Sequence, residues 1–385
     1  MRDFPSSSPS APIGYFVHHQ GRGHALRCAA VVNALPEHRP VTIFCARNDI
    51  FPAMRPGVEI RQIPSLFEPQ GDEAPGMASA PVPDTLHCAP LGWPSIRNAM
   101  AEITSWFAEA NPSLMIGDVS AELAQLSRIC SVPHVSVLQH GTRSDPGHQA
   151  GYDCSVGLLA PFSERLAQPD WTPSMRKKTH FAAGLGASTK LPKRQTAREM
   201  LGIREGETLV LVLSGGGGTG FAQAPLGIGA RAVPDTRWIT IGTVQRDWHA
   251  TEPGNIEHHG WVDTPDLYLA AADVIISSTG NNTCAQVLAT ARPWLAVPEW
   301  RYFDEQVEKA RALQVAGAAT MLGSLPSSAQ AWRTVMRDTI RDHDPQLQRS
   351  LLDRSPAEAT AGWLEGLIED LWQGAAQTSL ERTIA

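Results

Sequence analysis

The sequence predicts an α/β protein built from two halves, each with a parallel sheet. Short apolar runs such as Ile13–Val17 and Val41–Cys45 alternate with helical patterns, which is typical of parallel strands joined by helices. The alternation fades across 165–193, which looks like a linker, and resumes at Thr208–Leu213. A chain of 385 residues has room for about two to three domains.

Each element follows from its local pattern. In the first half we expect strands at 13–17, 41–45, 114–117 and 134–138, and helices at 24–35, 95–110 and 121–130. In the second half we expect strands at 208–213, 237–241, 256–261, 274–276 and 294–297, and helices at 265–271, 283–290 and 305–316. The segment 63–94 is rich in Pro, Gly and Asp, and loops of this length are usually functional or disordered.

The predicted organisation has four parts. Residues 1–12 form a flexible tail, 13–180 a first domain, and 181–360 a second domain. The helical pattern near the C-terminus, 361–385 with the residues just before it, is expected to return to the first domain.

Composition narrows the classes of function. Hydrophobic residues make up 42% and charged residues 18% of the chain, which suits a protein with a buried core. The net charge of −7, without lysine or arginine runs, argues against nucleic acid as a partner. Six scattered cysteines without CxxC spacing indicate reduced thiols rather than disulfides or a zinc site. No apolar run approaches the roughly 18 residues of a membrane span, so we expect no transmembrane segment and a cytoplasmic location.

Each half opens with a strand followed by a glycine-rich turn. The first turn contains Gly21, Arg22 and Gly23, and the second contains Gly215, Gly216 and Gly217. Glycines let backbone N–H groups approach an anion, and a following helix N-terminus adds a favourable dipole. Neither turn matches a dinucleotide-binding or P-loop motif. A tight connection between strand and helix explains either turn equally well on its own.

The most specific stretch is 260–319. In it a buried strand ends in a small polar turn from which a helix starts, the arrangement that binds pyrophosphate in open α/β sheets. The side-chain amides of Gln286, one turn into that helix, and Gln306, near the start of the next helix, are candidates for contacts to ribose or sugar hydroxyls. The candidate donor-binding residues of this stretch are Trp261, Val262, Ser278, Thr279, Gly280, Asn281, Asn282, Thr283, Gln286 and Gln306.

This stretch resembles the nucleotide-sugar-binding half of GT-B glycosyltransferases of the MurG-like group, glycosyltransferase family 28. The shared pattern is a G-W/Y-V strand, "aDlvIs-x-x-G-x-x-T", a "P-x-l-x-x-P" strand and "Q-x-x-x-A-x-x-l-x-x-x-G-a". The glycine turn ending in Gly23-His24 resembles the N-terminal signature of the same group. The resemblance implies two Rossmann-like domains facing across a cleft, and inverting transfer from a nucleotide-sugar, most often a UDP-sugar, to a small or lipid-linked acceptor. Where the group has a glutamate that binds ribose, this chain has Gln286.

A second resemblance keeps other activities open. Gly23-His24-x-x-Arg27-Cys28 is similar to the "G-H-x-x-R-C" of the nucleotide-sugar hydrolase of pseudaminic acid synthesis, which has the same fold. Hydrolase and transferase differ in whether water or an acceptor hydroxyl attacks the sugar. A hydrolase or epimerase, and a non-catalytic nucleotide-sugar-binding protein, therefore remain alternatives to a transferase. The long loop 63–94 suits an acceptor site better.

In the fold that the resemblance implies, the first strand–turn–helix faces the donor, which makes His24 the candidate general base. Imidazole side chains titrate near pH 6.5, about where a base can accept a proton in neutral solution. Asp118, at the carboxyl end of a strand, is the candidate partner that orients the imidazole. The alternatives are that His24 or Asp118 only caps a helix. His18 and His19 are weaker candidates.

Other cleft residues and cofactors follow from the same scheme. Arg22 is placed to offset diphosphate charge, and His140 and Arg143 follow a strand on the acceptor side, where a satisfied loop is the alternative. The chain has no Asp-x-Asp. Backbone amides and a helix N-terminus are expected to stabilise the leaving diphosphate, so we expect no metal and no cofactor.

Overall fold

The structure, a computed structural model, describes residues 8, 10–77, 79–215, 218–246 and 251–373. Within them the chain forms two large parallel sheets, one in each half, connected by helices. This confirms the predicted α/β class with two halves.

The strands and helices of the first half build one domain. Its strands are β1 (Ile13–Val17), β2 (Val41–Cys45), β3 (Val58–Gln62), β4 (Leu114–Asp118), β5 (His134–Val137), β6 (Gly157–Ala160) and β7 (Thr179–Phe181). Its α-helices are α1 (Arg22–Ala34), α2 (Pro94–Ala110), α3 (Ala121–Ile129), α4 (Pro146–Cys154) and α5 (Pro173–Lys177). The described strands pair in the order β3-β2-β1-β4-β5-β6-β7. The order reverses between β1 and β4, and ligands of open α/β sheets bind outside the carboxyl ends of strands at such a point.

The second half repeats this plan. Its strands are β8 (Thr208–Leu213), β9 (Phe221–Ala222), β10 (Thr236–Ile241), β11 (Val244–Gln245), β12 (Ile256–Gly260), β13 (Val274–Ser277), β14 (Trp294–Ala296) and β15 (Thr320–Met321). Its α-helices are α6 (Arg194–Met200), α7 (Gln223–Ala232), α8 (Pro265–Ala271), α9 (Asn281–Thr290), α10 (Glu305–Val315), α11 (Ala329–Arg341) and α12 (Pro345–Arg349). Among described residues the main sheet has the order β12-β10-β8-β13-β14-β15, so its switch point lies between β8 and β13.

The last helix, α13 (Pro356–Gln373), packs on the first domain. Its residues Ala361, Leu364 and Ile368 are buried in the apolar cluster that contains Ile13 of β1 and Val31 of α1. Burial of this apolar face stabilises the contact between the C-terminal helix and the first domain, although the helix follows the second domain in sequence. Residues 374–385 of the predicted C-terminal segment lie outside the described residues. In the described part of the chain no helix is both long and apolar enough to cross a bilayer.

Two expectations from the sequence are wrong in detail, the linker and the starts of two helices. The stretch 165–193 is not simply a linker, because it contains α5 and strand β7, which pairs with β6. A strand of three residues is too short to show a periodicity. The flexible tail 1–12 stays a prediction, and near its end the Ala11 carbonyl accepts hydrogen bonds from Arg39 and Ser113. Residues 1–7 and 9 of that tail lie outside the described residues.

Helices α1 and α9 also begin two residues earlier than the sequence pattern predicts, at Arg22 and Asn281. At the start of α1 the N-cap residue Gly21 has φ +76, a backbone conformation that favours glycine. The early starts bring both polar turns into the first turn of a helix.

Candidate active site

The switch points of the two sheets face each other across a narrow cleft. A Cβ built on Gly23 of α1 would lie 3.8 Å from the side-chain amide of Asn282 on α9. The Asn282 Nδ2 group also points toward the Gly186 carbonyl at 3.4 Å, and Gly186 lies directly against the backbone of Arg27. The polar turns that the sequence singled out in separate halves are therefore walls of one site.

His24 and Asp118 meet on the first-domain wall. His24 is the third residue of α1, and its Nδ1 lies 2.9 Å from Oδ1 of Asp118, the last residue of β4. Asp118 is fully buried, whereas 18% of the His24 side chain is exposed. A carboxylate only accepts hydrogen bonds, so the tautomer with its proton on Nδ1 donates to Asp118 and keeps the Nε2 lone pair for a substrate. The other tautomer would instead accept at Nδ1 from Arg27 Nη2, 3.0 Å away.

Neither residue caps a helix. The N-cap of α1 is Gly21, which makes no side-chain capping bond. The N-cap of α3 is Ser120, whose Oγ accepts from the Leu123 N–H at 3.2 Å. The capping alternatives for His24 and Asp118 are therefore excluded, and their contact needs another explanation.

Arg27 is a further site residue. It belongs to the Gly23-His24-x-x-Arg27-Cys28 pattern, which by itself predicts no role for it. Its Nε donates to Asp118 Oδ2 at 2.9 Å and its Nη2 to Oδ1 at 2.8 Å, so the guanidinium binds the carboxylate in a bidentate manner. Burial alone raises the pKa of Asp118, but the charge of Arg27 and the contact with His24 outweigh it and hold that pKa well below its usual range. The three-residue spacing from His24 to Arg27, one helical turn, is the signal that indicates a shared face.

The two preceding histidines have different surroundings. The His18 ring stacks on Phe67 at 4.4 Å and lies 5.4 Å from the His24 ring. Burial lowers the pKa of His18 to about 3, so His18 is neutral at neutral pH. His19 is buried, with its Nε2 3.0 Å from Glu68. Among these three histidines, His24 is the one joined to a fully buried carboxylate.

The opposite wall is the turn between β13 and α9. Ser278 and Thr279 are buried, and Gly280 is the N-cap of α9 without a side-chain capping bond. The first turn of α9 contains no acidic residue, so nothing in it competes with an anion for the helix N-terminus. A Cβ on Gly215, after β8, would lie 3.6 Å from Ser278 Oγ and 3.7 Å from Thr283 Oγ1. The turn after β8 therefore meets the turn after β13 here. Gly216 and Gly217 lie outside the described residues.

The two glutamines at this wall have different roles. Gln286 is half-buried, and its Nε2 lies 3.5 Å from Asp266 Oδ1, at the limit of a hydrogen bond, which leaves the amide available to a ligand. The side-chain oxygen of Gln306 does not face a sugar hydroxyl as expected. It accepts hydrogen bonds from the backbone N–H groups of Thr279 at 3.1 Å and Glu299 at 2.9 Å. Gln306 therefore holds the phosphate-side turn in place.

The remaining donor-side candidates lie at the end of β12. Trp261 directly follows the strand, and 68% of its surface is exposed. Val262 packs against the apolar core of the second domain. The exposed indole is available to a ligand, whereas Val262 contributes to packing.

The candidates His140 and Arg143 are not open cleft residues. His140 is fully buried, and its Nε2 lies 2.7 Å from the Leu166 carbonyl, so the alternative of a satisfied loop holds for this nitrogen. Arg143 is bound to Gln139 at 2.9 Å and covers the Phe303 ring at 4.9 Å. Both side chains are used inside the protein. Arg22 is exposed at the start of α1.

Phe303 joins the two domains at the rim of the cleft. Its carbonyl accepts from the Thr142 N–H at 2.7 Å, and its ring lies 4.9 Å from the ring of His87 and 5.1 Å from that of His148. Its φ of +60 is unfavourable for a residue other than glycine. His87 belongs to the loop 63–94, and the side chain of Glu122 accepts from its backbone N–H at 2.7 Å. The long loop thus reaches from α3 to the second domain.

His87, Asp145 and His148 bring three possible metal-ligand atoms within 4.8 Å of one another. Their hydrogen bonds do not suit a metal, because His148 Nδ1 lies 2.5 Å from Asp145 Oδ2 and its Nε2 lies 3.0 Å from Arg143 Nη1. Asp145 also caps α4 by accepting from the His148 N–H at 3.0 Å. Both imidazole nitrogens of His148 are thus already occupied.

Comparison with known proteins shows which glycosyltransferases the chain is similar to. Residues 243–326 match the model of the glycosyltransferase family 28 C-terminal domain. A relative from Clavibacter michiganensis subsp. michiganensis, the UDP-N-acetylglucosamine–N-acetylmuramyl-(pentapeptide) pyrophosphoryl-undecaprenol N-acetylglucosamine transferase, is 23% identical over 313 residues, which cover 78% of this chain and 80% of the relative. The chain is a glycosyltransferase that is similar to the MurG-like group.

Solved structures place this MurG-like glycosyltransferase in the GT-B fold. The kitacinnamycin glycosyltransferase superposes with a TM-score of 0.62 at 16% identity, covering 93% of this chain and 98% of that one. MurG of Acinetobacter baumannii superposes with a TM-score of 0.56 at 15% identity, covering 93% and 99%. The predicted architecture of two Rossmann-like domains across a cleft is confirmed, and the MurG-like enzyme transfers sugar from a nucleotide-sugar.

Proposed function

We propose that the enzyme transfers a sugar from a UDP-sugar to an acceptor hydroxyl with inversion, without a metal or cofactor, and with His24 as general base. The observation that carries this proposal is the His24–Asp118 pair, 2.9 Å apart, on the wall opposite the N-terminus of α9. Residues 13–180 are proposed to hold the acceptor, a small molecule or a lipid-linked group, and 181–360 the donor.

In the proposed reaction His24 Nε2 takes the proton of the acceptor hydroxyl while that oxygen forms a bond to the anomeric carbon. The bond from this carbon to the diphosphate oxygen breaks on the opposite face, and its electron pair leaves with the nucleotide diphosphate. Asp118 accepts from Nδ1 and holds the imidazole so that Nε2 faces the acceptor hydroxyl. The N–H groups at the start of α9 oppose the charge that develops on the leaving group.

The UDP-sugar donor is supported by the name of the Clavibacter relative, which transfers N-acetylglucosamine from UDP-N-acetylglucosamine. The exposed Trp261 and the weakly bonded amide of Gln286 are proposed to contact the nucleotide. Ser278, Thr279, Gly280, Asn281, Asn282 and Thr283 are proposed to surround the diphosphate.

A release assay tests the reaction class. The purified enzyme is incubated with UDP-, GDP- and dTDP-sugars, with and without a panel of acceptors, and free nucleotide is measured. Release that requires an acceptor supports transfer. Catalytic release into water alone indicates the hydrolase alternative, and binding without turnover indicates a non-catalytic nucleotide-sugar-binding protein. Activity that survives EDTA supports the absence of a metal requirement.

A substitution tests the base. His24→Ala should lower kcat by roughly a hundred- to ten-thousand-fold, the usual contribution of general base catalysis, and should leave nucleotide affinity nearly unchanged. The exposed His38 provides the matched control, since His38→Ala should keep full activity. If His24→Ala remains active while Asp118→Asn is inactive, the aspartate is the base. If both variants remain active, the turn only positions the helix or the phosphate.

A further inference from the structure

Arg27 and Asp118 form a buried ion pair directly behind the proposed base. Only 2% of the Arg27 side chain and none of the Asp118 side chain is exposed. Asp118 Oδ1 contacts both His24 and Arg27, and Oδ2 accepts from Arg27 Nε at 2.9 Å. The Arg27 Nη2 also lies 3.0 Å from Nδ1 of His24, so the imidazole is beside both charges of the pair.

Asp118 and Arg27 are the charged groups whose side chains contact Nδ1 of His24. Burial lowers the pKa of His18 to about 3 and raises the pKa values of Tyr15 and Cys28, so all three are neutral. From the second domain Glu305 and Lys309 face this cluster with opposite charges. A nearby negative charge favours a protonated imidazole and a nearby positive charge disfavours it.

We propose that Arg27 is a positioning residue whose guanidinium cancels the charge of Asp118, so that Asp118 orients His24 without keeping it protonated at neutral pH. This inference rests on the proposed function, because only a base has to be neutral before the reaction. An aspartate without a counter-charge behind a histidine orients the ring and also favours the protonated form of the imidazole.

The local structure explains why an arginine suits this position. Two bonds from a planar guanidinium fix both carboxylate oxygens, which the single ammonium group of lysine does not match. Gly186, with φ +81, packs against the Arg27 backbone, where a Cβ would come within 2.5 Å of the Arg27 Cα. The position of Arg27 is therefore fixed by packing of Gly186 on its backbone and by the two hydrogen bonds of its guanidinium.

Three variants test the role. In Arg27→Gln the acid limb of the pH–rate profile should move to higher pH by about one unit, which is an about tenfold loss of activity on that limb. Arg27→Lys keeps the charge and should keep the limb in place, although kcat falls because orientation is poorer. Arg27→Gln combined with Asp118→Asn restores a neutral pair and should return the limb toward that of the wild type.

The double variant also keeps the test valid if Arg27→Gln leaves the buried Asp118 charge unpaired and does not fold. Arg39→Gln is the matched control, because Arg39 forms another largely buried ion pair, with Glu365, and its loss should change stability without moving the limb. An unmoved limb in a folded Arg27→Gln protein would overturn the proposal.

NMR titration of the His24 imidazole in labelled protein measures its protonation without turnover. Its midpoint should rise in Arg27→Gln and stay near the wild-type value in Arg27→Lys. A midpoint that moves while His24→Ala retains full activity would keep the electrostatic role and reject His24 as base. A midpoint that does not move rejects the role of Arg27.

Discussion

Gly23 of the first domain faces Asn282 of the second, with a distance of 3.8 Å from the position of a Cβ on Gly23 to the Asn282 amide group. His24 follows Gly23, and Asn282 lies in the first turn of α9. The proposed base and the proposed diphosphate turn are therefore opposite walls of one cleft. A side chain added at Gly23 would therefore extend toward Asn282 and narrow the gap between the two walls.

Gly280→Leu should weaken nucleotide binding strongly while changing the free energy of unfolding little. A Cβ at Gly280 would meet only Thr283 Oγ1, at 3.9 Å, so the fold has room for it. A longer side chain would instead occupy the turn at which the diphosphate is proposed to bind. Calorimetric titration with UDP and urea denaturation measure the two effects.

Gly323→Leu is the control for this substitution, because a Cβ there meets no atom within 4 Å and the site is distant in sequence from the turn. It should leave UDP affinity unchanged. Unaltered affinity in a folded Gly280→Leu protein would show that the diphosphate binds elsewhere.

Gln286→Ala should weaken UDP-sugar binding by about 1 kcal/mol, the usual net contribution of a neutral hydrogen bond. The Gln286 amide makes only a 3.5 Å contact inside the protein, so little stability should be lost. Affinity is measured by titration, with the exposed Gln195→Ala as the reference. Equal affinities in the two variants would remove Gln286 from the site.

Asp118→Asn should destabilise the fold at pH 7 by about 3–5 kcal/mol, because it leaves the buried Arg27 guanidinium without its counter-charge. The pKa of Asp118 is lowered in the folded state, so its ion pair stabilises the protein above the unfolded pKa of about 3.9. That contribution is lost as the pH falls toward the folded value.

Urea denaturation at several pH values checks this dependence. The difference between wild type and Asp118→Asn should be full at pH 7 and shrink below about pH 4. Asp84→Asn, an exposed change in the long loop, should show no such difference. A constant gap at all pH values would argue against an ionised Asp118 in the folded protein.

Val119→Gly should stabilise the protein by about 1 kcal/mol, because Val119 has φ +75, a conformation that is strained for a β-branched residue and not for glycine. The strain lies between Asp118 and the helix cap Ser120, so the turn keeps a strained backbone beside the site. Chemical denaturation measures the change.

Val315→Gly is the comparison for Val119→Gly. Val315 is an exposed residue at the end of α10, and glycine there should destabilise by about 0.5–1 kcal/mol. If both substitutions destabilise equally, the positive φ of Val119 does not strain the turn.

The sequence by itself determined the fold class and the two polar turns. Alternating apolar runs and helical patterns depend on local burial, so Ile13–Val17 and Thr208–Leu213 are visible without tertiary information. The family pattern in 260–319 likewise lies in one continuous stretch, which is why the nucleotide-sugar chemistry was accessible early. The strand β7 could not be predicted in this way, because three residues are too few to show an alternating pattern.

Only the tertiary structure decided which polar residues act together. Asp118 lies 91 residues from Arg27 in the chain, and no local signal shows that a guanidinium would close over both of its oxygens. Gln306 and His140 looked equally available in sequence, yet their side chains are occupied by contacts to the backbone of residues distant in the chain. Hydrogen-bond partners are chosen by packing, because a buried polar group must be satisfied by whatever the fold brings beside it.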